Sequence, residues 1–476
     1  MAIHSFSPDM TTTPTTRMST ATTSGGRAGS VPVDTARPWK LPPPRTYIFI
    51  NATVVDPVAA TVVPGQIVKI SNGAVDSISS FVYTTDEATV VDLEGRYLCP
   101  GLIDCHVHVA AVPGGGGGGG QSPGAEAALL RQPWVCGQML ARGFTSVRDA
   151  GGAGVALRDA IEDDVFPGPR LFLCGKALAP TGSHGYADAH AGGGPPCCGS
   201  ESAALSVVAD GVDEVVRATR EQIRQGAAFI KMMGSGGAST SPADRPSSAY
   251  FTRAEARAAH EVAASCGVHV TAHAYTPRAI RHAVENGARG IEHGNFLDDP
   301  TAELMAERGV WLTPSLVAHE AATTGGGGDR RPSLAATPDD QSSSSEARSR
   351  SLLEAGLKSL AVAHKAGVSI CHGSDLPGPQ QAEQSREFAL RARVLDAATV
   401  LRGATTNAAR MLGQEARLGQ VREGFAADLL VLGANPLADA EVLAEPERWC
   451  LAVVKAGRVC VSRWDEMPED VHRRAW

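Results

Sequence analysis

Apolar and polar positions change their period along this chain. From about residue 47, "TYIFINATVVD" and "GQIVKISNGAVDSI" read as short β-branched strands separated by turn residues, and "ADLLVLGANP" and "LAVVKAGRVCVS" repeat that character near the other end. The matching ends predict one small β domain built from both termini. Between them, apolar strand-like runs at 98–108, 144–149, 170–179, 228–234, 268–275, 289–293, 310–316 and 368–375 alternate with amphipathic stretches. The latter, "DEVVRATREQIRQG", "TRAEARAAHEVAASCG", "TPRAIRHAVENG" and "PTAELMAERG", have helical spacing and end in glycine, the residue favoured just past a helix C-terminus. Eight strands alternating with helices predict an α/β fold, a (β/α)8 TIM barrel with long loops. A doubly wound open sheet is the alternative arrangement.

The pattern predicts these domains: a Ser/Thr/Pro-rich disordered tail over 1–44, β-sandwich strands over 45–100, the barrel over 101–411, further sandwich strands over 412–465 and a short tail over 466–476. Two low-complexity insertions interrupt the barrel, a glycine run at 114–120 and "TTGGGGDRRPSLAATPDDQSSSSEARSR" at 323–350. Neither can bury a core, and each follows the C-terminal end of a predicted strand.

Composition narrows the picture. The 476 residues are 43% hydrophobic and 20% charged, as a globular chain requires, and the net charge of −8 favours neither nucleic acid nor an anionic membrane as partner. No window holds the roughly 18 uninterrupted apolar residues of a membrane span, and no apolar secretory core follows Met1. A cytoplasmic location is therefore expected, with a transit peptide as the alternative reading of the tail. The ten cysteines contain no CxxC pair and read as reduced, mostly buried thiols, with the adjacent Cys197 and Cys198 in a surface loop.

Candidate chemistry lies where polar residues interrupt the strand ends. His106 and His108 end the first run, Lys231 lies in the fourth, His273 in the fifth, His293 in the sixth and Asp375 closes the eighth. On a barrel these ends converge on one mouth, and alternation along a strand points His106 and His108 to the same side. Four imidazoles, a carboxylate and a lysine in one cleft can hold one or two first-row divalent metals. A cationic lysine would repel them, whereas a lysine carboxylated by CO2 could bridge two ions sharing a hydroxide. Asp375 could take the proton of the attacking water and pass it to a leaving amine. Tyr275 faces the same side as His273 and could donate to a carboxylate or an oxyanion. His372 reads as a packing residue.

This set of strand-end residues resembles the amidohydrolase superfamily. "YLCPGLIDCH" and "GFAADLLVLGANPL" are similar to that family's junctions with its small β domain. "ALAPTGSHG", "IKMMGSGG", "TAHAYTPRAIRHAVENG" and "RGIEHGN" resemble the branch that contains Xaa-Pro dipeptidases and ochratoxinase. The resemblance implies a binuclear zinc centre with Lys231 carboxylated and bridging. His106, His108 and Asp375 would hold the more buried ion, His273 and His293 the other, and His184 would lie close to substrate. Tyr275 departs from the histidine of ochratoxinase, as do the two insertions from the family pattern. The implied activity is hydrolysis of the amide bond of a dipeptide or N-acyl amino acid, ochratoxin A-like substrates included, by a metal-bridging hydroxide. Cyclic amide hydrolysis is the alternative, and a non-catalytic scaffold the minor one. Expected partners are a small-molecule amide substrate and further copies of the chain.

Overall fold

The computed structural model describes residues 36–80, 88–113, 125–183, 185–186, 205–237, 245–324 and 345–471. Most of the N-terminal tail, the glycine run, Cys197, Cys198, His184 and most of the 323–350 insertion lie outside these residues. The chain falls into two units, residues 1–42 and 43–476, and every element below belongs to the second.

At the N-terminal end of that unit, β1 (Tyr47–Asp56), β2 (Thr61–Ser71), β3 (Ala74–Ser79), β4 (Thr89–Asp92) and β5 (Tyr97–Pro100) follow one another. The alternating middle then supplies β6 (Leu102–Val107), β7 (Phe144–Asp149), β8 (Arg170–Leu173), β9 (Ala177–Ala179), β10 (Ser206–Val208), β11 (Phe229–Met232), β12 (His269–Ala274), β13 (Gly290–His293) and β14 (Trp311–Thr313). Finally β15 (Leu429–Leu432), β16 (Cys450–Lys455) and β17 (Arg458–Ser462) return to the strands of the start.

β-Strands from both ends form one mixed sheet of eight strands in the order β17-β16-β15-β5-β1-β2-β3, with β4 paired to β1. Its joint is the antiparallel pairing of β15 with β5, Leu429 opposite Pro100 and Leu432 opposite Tyr97. Tyr47, Phe49, Val68, Ile70, Leu98 and Val431 pack in a core of their own on this sheet. Two strand-forming runs more than 300 residues apart therefore satisfy each other's backbone groups and share one apolar interior.

The middle strands are parallel and lie in two sheets, β6-β7-β8 and β10-β9-β11-β12-β13-β14. β6, β7, β11 and β13 are buried along their whole length, as parallel strands covered on both faces must be. The covering helices include Gly211–Arg224, Arg253–Ser265, Pro277–Glu285 and Asp299–Glu307, each overlapping a predicted stretch, the first starting two residues and the last one residue before it. The terminal glycines Gly226, Gly267, Gly287 and Gly309 all take positive φ.

Two details differ from the sequence reading. The third run, 170–179, divides into β8 and β9 around Gly175, whose φ of 70° turns the chain between them. The eighth run, 368–375, makes only an isolated bridge, Ile370 to Leu312. It still hydrogen-bonds on both sides: Cys371 N donates to Leu312 O at 2.8 Å, and Cys105 N donates to His372 O at 2.8 Å. The two parallel sheets thus meet β14-to-β6 through this segment. They also meet beyond β8, where Ala228 N donates to Leu173 O at 2.7 Å. The eight described cysteines are free thiols, all but Cys266 buried. Among the described residues no helix is long and apolar enough to cross a membrane.

Candidate metal centre

β6 delivers His106 and, one residue past its end, His108. Both rings point to the same carboxylate: His106 Nε2 lies 3.3 Å and His108 Nε2 3.2 Å from Asp375 Oδ1, while His293 Nε2 lies 3.8 Å from Asp375 Oδ2. Ligand atoms of His106, His108 and Asp375 all fall within 4.8 Å of one another. Alternation along β6 therefore does what the His-x-His spacing predicts.

The loop positions are braced by buried carboxylates. Asp104 accepts from His106 N at 3.0 Å, Ser374 Oγ at 2.6 Å and Gln384 Nε2 at 2.8 Å, tying the eighth segment to β6. Asp149, at the end of β7, accepts from Val109 N at 2.7 Å and from Gly151 N and Ala153 N at 3.1 Å each. Burial raises the pKa of both, against the pull of these hydrogen bonds. Gln381 Nε2 adds donation to His108 O at 3.0 Å.

Parallel register explains the other members. Lys231 pairs with Thr271, His273 with Glu292 and Ala274 with His293, so Lys231, Thr271, His273 and Glu292 share one face. His293 would face away on a regular strand, but its φ of 73° turns the chain at that residue. The ring instead reaches the cluster, its centroid 4.5 Å from that of His273 and 5.2 Å from that of His106. Asp375 likewise sits at a φ of 52°. Both conformations are uncommon for residues with a side chain, and they occur together at this site.

Electrostatics follows the packing. Burial opposes ionisation of Asp375, yet His106, His108 and His293 hold its carboxyl well below the usual carboxylate range. Burial lowers the pKa of Lys231, with Glu292 and Asp375 opposing. Lys231 is 1% exposed, and its Nζ has no hydrogen-bond partner among the described residues. Tyr275 stacks on His293 with centroids 5.0 Å apart and planes 6° from parallel.

Of the sequence-predicted site residues, His106, His108, His293 and Asp375 come together directly. His273 and Tyr275 adjoin them through His293, and Lys231 lies on the shared face. His184 is outside the described residues. His372 stacks on Phe388 at 4.3 Å and meets Phe144 at 5.4 Å, in keeping with a packing role.

Sequence reasoning missed Asp104, Asp149, Arg148, Glu292 and His319. Glu292 was within reach, since it shares a strand face with His273 once the register is known. His319 is buried near Tyr275, centroids 6.1 Å apart, and burial pushes its imidazole down to about 4. No motif spacing marks it, because it stands on a helix after β14.

This donor set fits a divalent metal. Two imidazole nitrogens and a carboxylate oxygen converge within ligand range, while the nitrogen of buried Lys231 has no hydrogen-bond partner among the described residues. Such an arrangement at the ends of parallel strands could hold a metal ion. Residues 97–460 match the amidohydrolase family, and the chain belongs to it. The family expected from the strand-end motifs is thus the one found. Ochratoxinase of Aspergillus niger is 32% identical over 404 residues, covering 82% of this chain and 80% of the relative. A solved prolidase complexed with N-methylphosphonate-L-proline superposes with a TM-score of 0.79 at 37% identity, covering 88% of this chain and 100% of the other. A Xaa-Pro dipeptidase with methionine bound in its active site gives a TM-score of 0.74 at 25% identity, covering 87% and 99%.

Proposed function

We propose that this hydrolase cleaves the amide bond of a dipeptide or N-acyl amino acid at a binuclear metal centre. The observation that carries the reading is the convergence of His106 and His108 on one oxygen of Asp375, together with a buried lysine that has no hydrogen-bond partner among the described residues. His106, His108 and Asp375 would hold an inner ion and His273 and His293 an outer one, and Lys231, if carboxylated by CO2, would supply anionic oxygens to both. A bare ammonium is costly at such a position, whereas a carbamate offers anionic oxygens to cations. Zinc suits the imidazole-rich set. When bound, the ions would polarise the scissile carbonyl and bring the pKa of a water toward neutrality.

The chain's own groups supply the rest. Asp375 accepts the proton of the attacking water on a carboxylate oxygen and returns it to the leaving nitrogen. Tyr275 donates its hydroxyl to the substrate carboxylate or to the oxyanion. His184 is the remaining candidate for substrate contact. Support for the substrate class comes from the related prolidase: a phosphonate on the proline nitrogen is tetrahedral, like the adduct of water with an amide carbonyl. Ochratoxin A enters as a candidate through the ochratoxinase relative.

The scaffold for this chemistry is a (β/α)8 barrel over 101–411, closed where 368–375 joins β14 to β6. Residues 45–100 and 412–465 form the smaller β-sandwich domain. Such closure directs the strand ends to one mouth.

The test is metal analysis of purified protein, then mass spectrometry after incubation with dipeptides, N-acyl amino acids, ochratoxin A and cyclic amides. Two equivalents of divalent metal and turnover of the linear amides are expected. Lys231→Ala should lose part of the metal and slow turnover by on the order of 10²-fold or more. Wild-type protein without tightly bound metal, or Lys231→Ala turning over at the wild-type rate, sinks the reading.

A further inference from the structure

We infer that Glu292 is a positioning residue: held by Arg148 and Thr271, it fixes the ring and the tautomer of His106 for metal capture. This rests on the metal-centre reading above and extends it to residues outside the ligand set.

An imidazole can offer a metal only one nitrogen, and the other must be held as an N–H donor. His108 meets this requirement with a backbone carbonyl, its Nδ1 lying 3.0 Å from Gly151 O. His106 has a carboxylate at that position instead, its Nδ1 lying 2.9 Å from Glu292 Oε2 in a close ion-pair contact outside aligned hydrogen-bond geometry. That leaves both Nε2 atoms aimed at the same oxygen of Asp375.

The other oxygen of Glu292 is fully engaged. Oε1 accepts from Thr271 Oγ1 at 2.6 Å and from Arg148 Nη2. Arg148 is fixed in turn by its Nε donating to Cys105 O, and its guanidinium lies 4.6 Å from the Phe229 ring centroid. Arg148, Glu292 and Thr271 are each 0% exposed and His106 is 1% exposed. The assembly spans β7, β13, β12 and β6 and touches Phe229 of β11. A buried ion pair is weak evidence of stabilisation, because desolvation offsets much of the attraction. Its placement is better accounted for by the free oxygen it presents: Arg148 and Thr271 take Oε1, and Oε2 is left for His106.

Glu292→Gln separates this role from simple packing. Arg148 requires an acceptor, so the amide turns its oxygen to Arg148 and its NH2 to His106. A donor then faces Nδ1, which favours the proton on Nε2 and removes the lone pair offered to the metal.

The experiment measures zinc affinity by competition with a chromophoric chelator, the visible spectrum of cobalt-substituted protein, and the melting temperature of metal-free protein. Glu292→Gln should weaken zinc binding by about 10- to 100-fold and alter the cobalt spectrum. Affinity within twofold of wild type, with only the melting temperature lowered, would mean a structural role and overturn the inference. Should Glu292→Gln not fold, the paired change Arg148→Met with Glu292→Met removes both charges together, and the same weakening is expected. Thr271→Val leaves the ion pair in place and should weaken zinc two- to fivefold; unchanged affinity there counts against the inference. If wild-type protein binds no zinc, the metal-centre reading itself fails, a result distinct from any difference between variants.

Discussion

Glu292 and His293 are neighbours in sequence that reach one site by different means. Strand alternation turns Glu292 inward with His273, and a left-handed step brings His293 to the same cluster. Asp375 makes the second such step, and the cost, on the order of 1–3 kcal/mol each, must be met by the packing around them. Gly373, just before it, shows how tight that packing is. A Cβ there would stand 2.4 Å from Thr313 Cγ2 and 2.9 Å from His106 Cβ. Gly373→Ala is therefore expected to destabilise metal-free protein by about 1–3 kcal/mol and to weaken metal binding through displacement of His106. Urea unfolding and chelator competition check this; wild-type values in both would mean that the eighth segment shifts freely.

Among the elements, the helix Arg253–Ser265 shows stability kept apart from the site. Thr252 and Glu255 form a reciprocal cap, and Glu255 also accepts from Gly211 N at 2.7 Å, at the start of the preceding helix Gly211–Arg224. Thr252→Ala should cost about 0.5–2 kcal/mol in thermal or urea unfolding and leave turnover unchanged. A drop in turnover at full folding would show that the cap also serves the site. Such elements were legible because their signals are local: a capping residue, helical spacing and a closing glycine. The eighth segment was legible as an apolar run. Its reduction to one bridge was not, because pairing depends on how the segment lies against β14 and β6, which are distant in sequence.

At the scale of the whole molecule, burial on both faces of the parallel strands makes folding sensitive to pH. His269, at the start of β12, lies against Phe229 and Trp311, and burial pushes its imidazole down to about 4. The native state keeps this ring neutral, while the unfolded chain protonates it near the ordinary 6.5. Between those values the unfolded state binds more protons, so stability is present above about 6.5 and is lost as pH falls toward 4, at up to about 1.4 kcal/mol per pH unit. His269→Gln should flatten the loss of unfolding free energy of metal-free protein between pH 7 and pH 5. An unchanged slope would assign acid sensitivity to other groups.

Most of the order of strands and helices, the family, and His106, His108, Lys231, His273, His293 and Asp375 as site candidates were readable from residue order alone, since period and strand-end position are local properties. How these groups meet depends on packing between segments far apart in the chain. Which oxygen of Asp375 faces His106 and His108, and how a positive φ brings His293 round, follow from register and backbone turns between distant segments. Arg148 and Glu292 escaped notice for the same reason: a buried charge is read from sequence as a surface residue until the strand carrying its partner is placed beside it.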